Sequence, residues 1–76
     1  MSNAGKLYSE NQTLIVDVSI NSINGENIRF SFIGPPLDVE SDYLLEMGKS
    51  RIRILISDIE SDLNNNYVTA IIATGL

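Results

Sequence analysis

The chain has no cysteine, no histidine and no tryptophan. Without cysteine there is no disulfide staple and no thiolate chemistry. Without histidine, the commonest general base and the commonest metal ligand are both missing. Positive charge is scarce: five Lys+Arg stand against ten Asp+Glu, for a net charge of −5. That balance opposes bulk attraction to nucleic acid or to an anionic membrane surface. No apolar run approaches the ~20 residues of a membrane-spanning helix, and the amino end is polar rather than signal-like. These absences point to a cytoplasmic protein with no membrane partner.

What is present describes one small domain. The 76 residues are 43% hydrophobic and 20% charged, a globular composition with room for a single small core. Such a core gives marginal stability, which self-association commonly reinforces. Residues 1–4, Met-Ser-Asn-Ala, resemble an expression-vector scar. On that reading the natural sequence starts near Gly5 and belongs to a longer protein. Residues 5–12 carry no period and read as a flexible lead-in. Residues 13–76 then form the domain, with no internal repeat. The frequent isoleucine and asparagine point to a bacterial or phage source.

Two period-two stretches surround Asn24-Gly25. Leu14, Val16, Val18 and Ile20 share one face, with Thr13, Asp17, Ser19 and Asn21 on the other, and Ile28, Phe30 and Phe32 alternate with Asn27, Arg29 and Ser31. Asn-Gly between such runs signals a hairpin. A two-residue Asn24-Gly25 turn sets Ile20 against Arg29 and places the two apolar sets on opposite faces. A three-residue loop, Ile23-Asn24-Gly25, with Gly25 left-handed as a G1 bulge, pairs Ile20 with Ile28 and Val18 with Phe30. This turn is the expected one.

Beyond the Gly-Pro-Pro break at 34–36, Asp38 reads as a helix N-cap. Val39, Tyr43, Leu44 and Met47 recur at helical spacing, and Gly48 suits the position after a helix end. A short helix over 39–47 is predicted. Residues 51–56 read as a third strand that ends or bulges at Asp58-Ile59, and residues 61–66 as a turn cluster. Residues 67–74 read as a fourth strand. The expected fold is α+β and β-rich, in the order β-β-α-β-β. It is either a four-stranded antiparallel sheet or a small, partly closed barrel with one short helix.

Chemical motifs are weak. Asp58, Glu60, Asp62, Asn64 and Asn66 alternate as in the first half of a calcium loop, but Leu63 and Thr69 occupy the positions of its glycine and closing glutamate. Gly48-Lys49-Ser50 resembles the end of a phosphate loop, but Tyr43 stands where the earlier glycine belongs. Carboxylate pairs such as Glu40 with Asp42 lack a cleft that would tune them. No catalytic residue, metal ligand or cofactor is expected, and the protein is read as a non-enzyme.

Interaction residues are better marked. Ile15, Ile33, Leu55 and Ile71 fall on the otherwise polar face, about one per strand. An apolar band there fits barrel closure, a homodimer or a protein partner. Arg29, Arg51 and Arg53 share an outward parity and would form a basic patch if their strands were neighbours. The main expectation is a small interaction or accessory module that uses the apolar band or an open strand edge. One alternative is a nucleic-acid-binding β-domain working through the three arginines, although the net charge opposes it. The other is an acidic inhibitor or immunity-type protein presenting Asp38, Glu40, Asp42 and Glu46 on the helix. Asn24, Gly25 and Gly48 are expected to serve structure alone.

Overall fold

The computed structural model describes residues 3–73. They form six antiparallel strands: β1 (Ala4–Ser9), β2 (Leu14–Asn24), β3 (Asn27–Ile33), β4 (Asp42–Met47), β5 (Ser50–Asp62) and β6 (Asn65–Ile72). The strands close into a barrel in the order β1-β2-β3-β6-β5-β4. Pairing of Leu7 with Leu45, on β1 and β4, completes the ring. The fold is therefore all-β among the described residues, not α+β. No helix there is long and apolar enough to cross a membrane.

Two segments depart from the sequence pattern. Residues 5–12 contain most of β1 and its turn into β2, and Leu7 is fully buried. A strand of two inward residues, Gly5 and Leu7, is too short for periodicity to show. The predicted helix is strand β4 instead. Tyr43, Leu45 and Met47 alternate as readily as 39, 43, 44 and 47 repeat at helical spacing. An isolated helix this short is marginal. As a strand the segment pairs with both β1 and β5 and buries Tyr43 and Leu45. Asp38 still performs capping chemistry, on a turn: its Oδ1 accepts from Glu40 N at 2.9 Å and its Oδ2 from Ser41 Oγ at 3.2 Å.

The turns share one device. Gly25-Glu26, Gly48-Lys49 and Leu63-Asn64 are two-residue hairpin loops, with φ of 63°, 60° and 59° at the first position. Positive φ at that position alone is the sign pattern of a type II′ turn. The β2–β3 hairpin thus differs from the expected three-residue loop. Asn24 pairs with Asn27, and the register is corrected at Asn21, where a bulge separates Ile20↔Phe30 from Ser22↔Arg29. The three-residue loop occurs instead at 10–12: Gln12 takes φ 68°, and its N–H donates to the Ser9 carbonyl at 2.9 Å. Strand β5 bulges at Ser57 and runs on to Asp62.

Inside the barrel, Leu7, Ile28, Phe30, Leu45, Ile54 and Ala70 are fully buried. Gly5 is required by close approach rather than by φ. A Cβ there would lie 2.8 Å from the Glu46 carbonyl oxygen, so the β1–β4 seam closes only around a residue without a side chain. Residues 34–41 carry the chain from β3 to β4, diametrically across the mouth, and Leu37 packs on the core beneath. Asn66 is 1% exposed beneath this mouth. Its Nδ2 donates to the carbonyls of Gly34 (2.6 Å) and Asn64 (3.3 Å), and its Oδ1 accepts from Ser61 Oγ at 2.6 Å.

The barrel has an approximate two-fold plan. Each half is a three-stranded meander with a long, bulged middle strand. Leu7 pairs with Leu45 and Phe30 with Val68, and each pair is 38 positions apart. The same spacing carries Gly25 to Leu63, the first residues of equivalent turns, and Ile33 to Ile71. Few other identities accompany it, so the repeat is legible in the pairing and not in the residues.

Candidate interaction surface

Barrel closure rearranges the residues that parity had grouped. Leu55 and Ile71 face each other on β5 and β6, each 41% exposed. Ile33 lies at the far end of β3, six residues from Asn27, the partner of Ile71. At ~3.4 Å per residue that is roughly 20 Å along the strand. Ile15 is at the start of β2, 43% exposed, beside a bulge between Val16 and Leu14. The expected single apolar band is thus broken up: Leu55 and Ile71 form one patch, Ile33 stands at a cleft beside β2, and Ile15 lines a different cleft with Ser41, Asp42 and Tyr43.

Arg29 does not join Arg51 and Arg53, which stay two positions apart on the outer face of β5. Strand β6 separates Arg29 on β3 from β5. Arg51 pairs with Glu46 at 3.1 Å and its guanidinium sits 4.3 Å from the centre of the Tyr8 ring. Arg53 pairs with Asp42 at 3.5 Å. Two of the three charges are therefore turned toward acids on β4. The same contacts engage Asp42 and Glu46, and with no helix the predicted acidic face is not assembled. Among the described residues, no group of three or more acidic side chains is placed to hold a metal ion.

No local sequence pattern marks the parting between β2 and β3. Their ladder runs from the turn to Ser19↔Ser31 and stops. Beyond it β2 pairs only with β1, and Phe32 and Ile33 pair only with β6. The parted ends flank a cleft of about 430 Å³ lined by Val16, Asp17, Ser19, Phe32, Ile33 and Tyr67. Ile33 is 72% exposed at its rim, and Tyr67 is half exposed.

Hydrogen-bond parity shows which peptide groups face the cleft. Ile20 N donates to Asn3 O on the β1 side, so even residues from Val16 to Ile20 point toward β1 and Asp17 points toward β3. Gly34 N donates to Asn64 O on the β6 side, so Ile33 points toward β2. Asp17 and Ile33 are the next hydrogen-bonded pair of the ladder, left unmade.

The second half of the barrel shows the same place closed. The equivalents of Val18/Phe32 and Asp17/Ile33 are Ile56↔Ala70 and Leu55↔Ile71, and both are paired. Where β5 offers leucine to the isoleucine opposite, β2 offers aspartate. Past Ile33 the chain also leaves for the mouth, whereas β6 continues its ladder past Ile71 to Ile72.

No family model, curated protein or solved structure matches this chain.

Proposed function

We propose that this domain is a small non-enzymatic interaction module that accepts an extended segment of a protein partner at the parted end of β2 and β3. The observation that carries this reading is the unmade Asp17/Ile33 pair, with its peptide groups facing a cleft of mixed lining at which Ile33 and Tyr67 stand exposed. Backbone groups of this kind give affinity in strand addition, and adjoining side-chain pockets give selectivity. The Leu55/Ile71 patch lacks this feature, because the ladder beneath it is complete.

The test is selection from a random peptide library on the immobilised barrel, followed by amide chemical-shift mapping of the winners. Binding at the cleft moves the amides of residues 16–19 and 31–33, and Ile33→Lys weakens it while the barrel stays folded. Winners that map to Leu55 and Ile71 would overturn the assignment.

A further inference from the structure

The parted end also specifies what kind of segment fits, given the strand-addition reading above. An added strand running antiparallel to β2 places one residue directly opposite Asp17, on the outer face. Its two chain neighbours point inward, toward Val16 and Phe32, which line the cleft.

Asp17 is exposed and makes no ion pair among the described residues. Lys6 lies opposite it on β1, but Lys6 is also opposite Glu46 on β4 and bonds neither acid. The other bases near this side of the barrel, Arg51 and Arg53, are held by Glu46 and Asp42. The carboxylate of Asp17 therefore stands at the edge of the cleft without an ion pair, and its one cross-strand base, Lys6, lies on the β1 side, away from β3. At the equivalent position, Leu55 meets Ile71, a contact that asks only for an apolar partner.

We infer that the partner segment is an extended chain with a basic residue between two apolar ones, the basic side chain opposite Asp17 and the apolar pair against Val16 and Phe32. The lysine or arginine sits at a solvent-accessible rim, so it contributes selectivity more than affinity. An acidic residue in that position is disfavoured by the same carboxylate.

The probe is the peptide Ser-Thr-Thr-Val-Lys-Val-Thr-Thr-Ser, compared with the version carrying glutamate in place of lysine. Both are titrated into the ¹⁵N-labelled chain at low salt. The lysine peptide is expected to shift the amides of Asp17 and Ile33. It should bind about threefold or more tighter than the glutamate peptide, as expected when an exposed ion pair is replaced by a like-charge pair. Asp17→Asn and high salt should each shrink that difference. If both peptides shift Asp17 and Ile33 with equal affinity, the basic requirement is overturned and strand addition stands. If neither shifts them, strand addition falls with it.

Discussion

Replacing Asp17 with leucine copies into the first meander the residue that accompanies closure in the second. In β5–β6 the Leu55↔Ile71 pair leaves Ile71 41% exposed, whereas Ile33, its equivalent, is 72% exposed. Closing the β2–β3 end would thus cover about a third of the Ile33 side chain. Full burial of an isoleucine contributes ~1.5–3 kcal/mol, so this share is worth about 0.5–1 kcal/mol. That agrees with the roughly 0.2–1 kcal/mol of a favourable cross-strand pair, which is the same contact counted another way. For a domain of this size, ~1 kcal/mol raises Tm by about 4–8 °C. The comparison uses Asp17→Leu against Asp17→Asn, since both remove one negative charge and only leucine supplies the contact. Thermal unfolding gives the stability, and amide exchange gives the location. The Ile33 amide, open in the native chain, should gain protection toward that of Ile71, its equivalent, which is already within the ladder. If Asp17→Leu melts with Asp17→Asn and Ile33 still exchanges freely, the departure of residues 34–41 holds the ends apart, and aspartate is not the cause.

Three further outcomes follow from the geometry. Asn66→Ala removes three hydrogen bonds at a buried site and leaves the Gly34 carbonyl without its amide donor, which should cost about 2–4 kcal/mol in urea unfolding. Leu63→Gly should stabilise by about 0.5–1 kcal/mol, because Leu63 holds φ 59° with its side chain in solvent. Gly25→Ala should lose a similar amount, and thermal melts of the two variants compare them directly. Leu55→Lys should leave peptide binding at Asp17 and Ile33 unchanged, since the complete β5–β6 ladder lies on the opposite side of β6 from the cleft; a titration that loses binding would place Leu55 in the docking surface.

The legible parts of the fold are those where local pattern and tertiary role coincide. In β2, β3, β5 and β6 alternation marks a buried face, and Val18, Phe30, Ile54 and Val68 point inward as their parity requires. Gly25 and Gly48 sit at turns that need positive φ, and either a hairpin or a helix end would suit Gly48, so that signal could not separate the two. The candidate site was only partly legible. Ile33 was visible as an apolar residue on a polar face. Asp17 looked like any solvated outward residue, because its role depends on a ladder that stops. Asn66 looked like part of a turn cluster, because only folding brings Gly34 and Ser61 to it.

Residue types and neighbours a few positions away were enough for the lack of thiol and imidazole groups, for four of the six strands and for where the chain turns. Tertiary structure decided the rest. Strand β1 exists because its one large buried residue, Leu7, finds Leu45, and β4 is a strand because pairing on two sides outweighs a marginal helix. The two-fold plan, the separation of Arg29 from Arg51 and Arg53, and the parting beside Asp17 all follow from closure. Closure joins residues 32 to 44 positions apart, and no local pattern records which of them will meet.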